Sequence, residues 1–297
     1  MFDEAALAHR YADLDDVRLH YVEAGEGRLV VLLHGFPEFW YSWRHQLGAL
    51  AAAGYRVVAP DMRGYNLSSK PRGVRAYDVD RLARDVARLI AHCGVGHAAA
   101  VVGHDWGGGV AWAAAMRYPA LVERLAILNV PHPVRLLEGL RTLRQLRKSW
   151  YIFFFQLPWL PEAWFRVGDF AVLRRVFRQD PARPGAFTEA DIARYIAAMA
   201  RPRALTSAIN YYRAFVRKGP REGLRATRRV DCPVLVIWGE QDRYLGRELA
   251  APPRAWVPYA RVERLPDASH FVQNDRPERV NALLLDFLNA PAPFNRL

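Results

Sequence analysis

Four short apolar stretches set the pattern of this chain, and each stops abruptly at a loop residue. LVVLL (29–33) runs into His34-Gly35, YRVVAP (55–60) into Asp61, AAAVV (98–102) into Gly103, and PVLVIW (233–238) into Gly239. None alternates polar with apolar residues, which is how strands covered on both faces of a parallel sheet read. Helical spacing fills the gaps. Val79, Leu82, Ala83, Val86, Leu89 and Ile90 recur at three-and-four intervals before Gly94, and Val280, Leu283, Leu284 and Phe287 do so after Pro277. Strands alternating with helices predict an α/β fold, a mostly parallel sheet wound by helices. VRLHYVEAG (17–25) does alternate, and predicts an antiparallel hairpin at the sheet edge.

The alternation is interrupted once. After LAILNV (125–130), residues 131–229 hold no strand-like run, only helical patterns at 150–157, 164–177, 192–199 and 205–215. This insert carries 15 of the 36 aromatic residues and 20 Lys+Arg against 7 Asp+Glu, while the rest of the chain holds 22 against 23. The net charge of +12 therefore belongs to the insert. The expected organisation is a core of residues 1–130 and 230–297 with a helical cap, 131–229, over the C-terminal ends of the strands.

Composition narrows the function classes. With 297 residues, 52% of them apolar, the chain can bury a large core and is no disordered tail. The basic charge does not predict a nucleic-acid partner, because arginines on apolar-rich helices form a solvated face and no recognised module is present. Cys93 and Cys232 make neither a disulfide framework nor a metal cluster, and the histidines lack ligand spacing, so no metal or organic cofactor is expected. No apolar run approaches the roughly 20 residues of a membrane span. The opening MFDEAALAHR lacks the basic-then-apolar order of a secretory signal, so a cytoplasmic location is expected.

The most informative segment is Gly103-His104-Asp105-Trp106-Gly107-Gly108, set between a buried strand and the apolar helix GVAWAAAM. Small residues two before and two after Asp105 permit a sharp strand-to-helix turn that lifts the central side chain above the sheet. Such an elbow usually carries serine; here it carries aspartate. The plainer alternative is that Asp105 caps the helix. Downstream, Asp242 in GEQDRY and His270 in ASHF follow in the order nucleophile, acid, histidine, each after a strand-like segment. That order suits a catalytic triad. Upstream, His34-Gly35-Phe36-Pro37-Glu38 follows a strand directly, so the Phe36 and Trp106 amides are candidates for an oxyanion hole, and Pro37 for a cis peptide.

Together, HGFPEFWYSW, GHDWGG, the GEQD acid and the SHF histidine resemble the soluble epoxide hydrolases of the alpha/beta-hydrolase fold, over essentially the whole chain. HDWGG is shared with the haloalkane and fluoroacetate dehalogenases, which remain the alternatives. The insert separates them. Tyr151-Ile-Phe-Phe-Phe155-Gln156-Leu-Pro158 and Asn210-Tyr211-Tyr212-Arg213 match the contexts of the two cap tyrosines that grip an epoxide oxygen, making Tyr151 and Tyr212 the implied pair. Fluoroacetate dehalogenases usually have arginine where Trp106 stands and tryptophan where Tyr151 stands. Phe36 occupies the usual halide-binding asparagine position of haloalkane dehalogenases.

The resemblance implies a small apolar epoxide and water as reactants. Asp105 would form a hydroxyalkyl ester, Tyr151 and Tyr212 would protonate the departing oxygen, and His270, oriented by Asp242, would activate water to release a vicinal diol. Serine would suit this poorly, since its attack on an epoxide would leave a stable ether. His34, Pro37, Glu38 and His104 are expected to support the loops around the site. Asn129 stands where some relatives keep the triad acid, and its being an amide favours Asp242. A non-enzymatic receptor or carrier on the same fold is the alternative from another class. The preferred epoxide, the stereochemistry and the choice between monomer and homodimer stay open.

Overall fold

The computed structural model describes residues 4–291. Eight strands form one sheet: β1 (Ala8–Leu14), β2 (Val17–Ala24), β3 (Arg28–Leu33), β4 (Tyr55–Pro60), β5 (Ala100–His104), β6 (Leu125–Leu128), β7 (Val234–Gly239) and β8 (Ala260–Leu265). Their spatial order is β1-β2-β4-β3-β5-β6-β7-β8. The six strands from β3 to β8 are parallel, and β2 pairs antiparallel with both β1 and β4. The apolar runs behave as their composition requires: every residue of β5, β6 and β7 is buried.

Helices α1 (Arg44–Ala52), α2 (Val79–His92) and α3 (Trp106–Arg117) make the crossovers from β3 to β4, β4 to β5 and β5 to β6. The first of these was not legible as a helix: Leu47 and Leu50 are its only large apolar residues, and Gly48 lies inside it. The alternating segment 17–25 does form a hairpin, but its partner β1 takes the outer position, and β2 lies inside the sheet with most of its residues buried. β5 runs two residues beyond the apolar stretch because Gly103 and His104 keep the register with Ile127 and Leu128.

Between β6 and β7 the chain is helical: α4 (Pro133–Gly139), α5 (Leu143–Lys148), α6 (Trp150–Phe154), α7 (Leu160–Gln179), α8 (Glu189–Ala200) and α9 (Ala204–Ala226). Thr188 starts α8 with a reciprocal capping box to Asp191. The stretch 164–177, read as one helix, is broken: Gly168, Asp169 and Phe170 have φ of +59°, +53° and +60°. The chain closes with α10 (Val272–Asp275) and α11 (Pro277–Asn289).

Buried polar contacts fasten the insert to the sheet. The Tyr211 hydroxyl donates to the Arg63 carbonyl at 2.7 Å, Tyr77 to Ser207 Oγ at 2.7 Å, and Tyr41 to Asp191 at 2.8 Å. Arg44, buried under the insert, donates to the Ala186 carbonyl at 2.9 Å and to Asn274 Oδ1 at 2.6 Å.

Candidate active site

β3 is followed in space by β4 on one side and β5 on the other, so the strand order reverses between β3 and β5. In open α/β sheets ligands bind at such a reversal, outside the C-terminal strand ends. The loop after β3 and the turn after β5 meet there.

Asp105 occupies that turn with φ +49° and ψ −122°, a conformation that L residues hold only when the surroundings enforce it. The glycines around it permit the close packing that holds the turn. A Cβ on Gly107 would fall 2.1 Å from the Leu33 carbonyl oxygen, and one on Gly103 would fall 2.4 Å from the Gly107 carbonyl oxygen. The Asp105 side chain makes no capping bond to α3. Its Oδ1 instead accepts the Phe36 N–H at 2.8 Å, and its Oδ2 lies 3.5 Å from His270 Nε2. The capping alternative is thereby set aside. Trp106, as the first residue of α3, offers one of the amides left free at a helix start, and the Phe36–Pro37 peptide is cis.

On its other side His270 directs Nδ1 to Asp242 Oδ2 at 2.7 Å. Asp242 is almost wholly buried yet has four donors. Oδ2 also accepts the Asn129 side-chain amide at 2.8 Å, and Oδ1 accepts the Tyr244 and Leu245 amides at 2.7 and 2.9 Å. Asn129 is held in turn by the Gly239 amide, which donates to its Oδ1 at 2.8 Å.

These contacts decide the charges. Burial alone would raise the Asp105 carboxyl, but the hydrogen bond and charge of His270 and the Phe36 amide outweigh it and hold the carboxyl below its usual range. Asp242 is held low in the same way, against burial, by His270, Asn129 and the Leu245 amide. Burial disfavours a charged imidazole at His270, yet the two carboxylates prevail and lift it well above its ordinary range. The three shifts act together to favour a charged imidazole between two carboxylates.

Tyr151 and Tyr212 come from α6 and α9, with ring centroids 5.7 Å apart and perpendicular planes. Burial first, and then the charge of Asp105, pushes both phenols well above their ordinary range, so both stay protonated. Tyr211, one residue earlier, spends its hydroxyl on the Arg63 carbonyl. Two cavities, of about 170 and 140 Å³, adjoin the site, and Asp105, Tyr151 and Tyr212 line both. The walls are apolar: Trp106, Trp112 and Phe215 among others in the first cavity, Phe36, Phe155 and Phe165 in the second.

Glu38 and His104 lie beneath the site, both buried. His104 Nδ1 meets Glu38 Oε2 at 2.8 Å and its Nε2 meets the His270 carbonyl at 2.8 Å, so the pair braces the histidine loop. Ser42 donates to Glu38 at 2.7 Å, and Gln273 Nε2 donates to Ser42 Oγ at 2.9 Å. His34 accepts the Met62 amide at Nε2, 3.0 Å, and faces the Gly35 carbonyl with Nδ1, which fixes the loop after β3. The supporting position of His34, Glu38 and His104 thus has a concrete form.

Sequence reasoning missed a second set of supports, from the insert. Gln145, fully buried, donates to the Tyr244 carbonyl at 2.8 Å and accepts the Gly246 amide at 3.0 Å. Lys148 donates to the Asp242 carbonyl at 2.6 Å. Tyr244 donates to Asp180, which also pairs with Arg243 at 2.9 Å, and its ring stands edge-on to His270. The loop bearing Asp242 is therefore held by α5 and the end of α7. Only spatial proximity links these residues, so no motif could have pointed to them.

Among the described residues there is no group of three or more His, Cys, Asp or Glu placed to hold a metal ion. No helix of the described residues is long and apolar enough to cross a membrane.

Comparison with known proteins places the chain in a family. The alpha/beta hydrolase fold model matches residues 28–277. The chain is 42% identical to the AB hydrolase superfamily protein YfhM of Bacillus subtilis, over 94% of this chain and 97% of that protein. It is 40% identical to epoxide hydrolase 4 of Homo sapiens, over 96% of this chain and 80% of that one. Among solved structures, an epoxide hydrolase variant from Bacillus megaterium complexed with its product (R)-3-[1]naphthyloxy-propane-1,2-diol superposes with a TM-score of 0.87. Its identity is 33%, covering 95% of this chain and all of that one. The chain belongs to the alpha/beta-hydrolase fold family, as a hydrolase of the epoxide hydrolase group.

Proposed function

We propose that this enzyme converts an epoxide and water to a vicinal diol through an ester on Asp105. One observation carries the reading: a carboxylate, an imidazole with its own acid, and two protonated phenols converge on one junction inside an apolar cavity. An epoxide has a poor leaving group, an alkoxide, and the two phenols are acids suited to it.

Asp105 Oδ2 attacks a ring carbon, that carbon–oxygen bond breaks, and the departing oxygen takes a proton from Tyr151 or Tyr212. Oδ1, already bound by the Phe36 amide, becomes the ester carbonyl. Ester formation removes one of the two carboxylates that hold His270 charged. The imidazolium then yields its proton to the tyrosinate and becomes a base. Neutral His270 takes a proton from water, and the hydroxide adds to the ester carbonyl. The oxyanion at Oδ1 faces the Phe36 and Trp106 amides. Collapse breaks the bond from the carboxyl carbon to the former Oδ2, which leaves in the diol with the proton of the added hydroxyl, and the water oxygen stays in the carboxylate. The cycle returns to an imidazolium between carboxylates, so protons balance. The product held by the Bacillus megaterium enzyme, an aryloxy diol, is of the class expected here.

Single turnover in heavy-oxygen water tests the scheme. The first diol should carry no label, and Asp105 should carry it. Label in that first diol would exclude the ester. Faster halide release from haloalkanes than diol formation from epoxides would move the assignment to a dehalogenase.

A further inference from the structure

The insert also presents an apolar face to solvent. Trp150, Phe153 and Leu157 follow one another at three- and four-residue steps from α6, and Leu160, Trp164 and Val167 do so along the first part of α7. All six are exposed, Val167 by 68% and Phe153 by 56%. The Trp150 and Trp164 rings approach to 6.3 Å and join the two rows. At the turn between them stands Trp159, 81% exposed, with a left-handed φ of 57°. Single exposed apolar residues are ordinary, but a grouping of this size marks a contact surface.

Its net charge is positive. Residues 141–169 contain five basic and two acidic residues. Both acids are engaged, Glu162 with Arg213 at 2.7 Å and Asp169 with Arg174 at 2.5 Å. Arg141, Arg147 and Arg166 are exposed and, among the described residues, have no carboxylate partner.

We propose that this face docks the enzyme on an anionic lipid surface. Tryptophan and phenylalanine insert at the level of lipid headgroups, and arginines around them pair with anionic headgroups. A second copy of the chain fits less well, since it would set the arginines against their counterparts. The face is also continuous with the second cavity, which Trp150 and Trp164 line together with Asp105 and His270. Docking places the mouth of that cavity against the membrane, where apolar epoxides concentrate. This last step rests on the proposed reaction; the docking itself does not.

The test is sedimentation of the full chain with vesicles of phosphatidylcholine containing about one third phosphatidylserine, against phosphatidylcholine alone. The protein should pellet with the anionic vesicles. Trp159→Ser with Leu160→Ser should weaken binding about tenfold or more, and Arg147→Glu with Arg166→Glu should remove the anionic preference. Both double variants should keep wild-type turnover of a small water-dissolved epoxide, which separates lost docking from lost folding. Wild-type protein left in the supernatant would overturn the proposal. So would a dimer in analytical ultracentrifugation that Trp159→Ser dissociates, since the face would then join two copies. Vesicle binding without diol formation from any epoxide would leave docking standing and remove the reaction.

Discussion

Replacing Asp242 by asparagine changes no volume, and the structure dictates how the amide must lie. Oδ1 of Asp242 accepts two backbone N–H groups, from Tyr244 and Leu245, so the amide oxygen has to take that position. The NH2 group then faces His270 Nδ1 and the Asn129 amide, where Oδ2 now accepts from both. A donor there holds His270 in the tautomer protonated at Nε2, the nitrogen that must take a proton from water. The corresponding loss in a triad is about 10⁴-fold, or about 5.5 kcal/mol of barrier. It should fall on ester hydrolysis alone, because the attack by Asp105 needs no base. Intact-protein mass spectrometry after mixing Asp242→Asn with an epoxide should therefore show a stable adduct of the substrate's mass. Turnover within about tenfold of wild type would refute the tautomer argument. Lost turnover with no adduct would show that the pair acts in ring opening instead.

Other outcomes follow from the same geometry. Tyr151→Phe or Tyr212→Phe should each slow ester formation by about 10²-fold or more, and the double variant should form no adduct by mass spectrometry. Asp105→Asn removes one of the carboxylates that raise His270, so the imidazole should titrate at lower pH than in wild type; an unmoved NMR titration would deny the coupling. Because the folded-state value of His270 is raised, its contribution to stability is present at low pH and is lost as pH rises through that value. Asp105→Asn should make this loss begin at lower pH in urea titrations. Gly107→Ala drives a methyl into the Leu33 carbonyl and should cost about 3 kcal/mol or more, visible as a lowered Tm.

The sheet was legible because its interior strands are pure: Val30, Val31, Val101 and Val236 have no water-facing side to reveal through alternation. β1 was not, since His9, Arg10 and Tyr11 are exposed and only Ala12 and Leu14 are buried. In the site, Asp105, His270 and Asp242 stand at loop positions whose spacing and order carry meaning, and the structure brings them within contact of one another. Asn129 was read only as a position where an acid was missing; its φ is +44°, and its bond to Asp242 joins residues 113 apart that nothing local links. Gln145 and Lys148 lie about a hundred residues from the loop they hold, and nothing local distinguishes them from other polar residues of a basic helix.

That hold constrains how substrate enters. A cap swinging away as one body would take Gln145 from Tyr244 and Gly246, and Lys148 from the Asp242 carbonyl, in the same movement. Each buried backbone group so abandoned costs about 1–3 kcal/mol. The Asp242 side chain would keep its bonds to His270, Asn129 and the Tyr244 and Leu245 amides, so opening would disturb the backbone of its loop and not the carboxylate itself. Rotation of Trp150 and Trp164, which line the second cavity and are exposed, would admit a ligand without breaking the Gln145 and Lys148 bonds. Such movements take nanoseconds rather than the microseconds to milliseconds of a domain hinge.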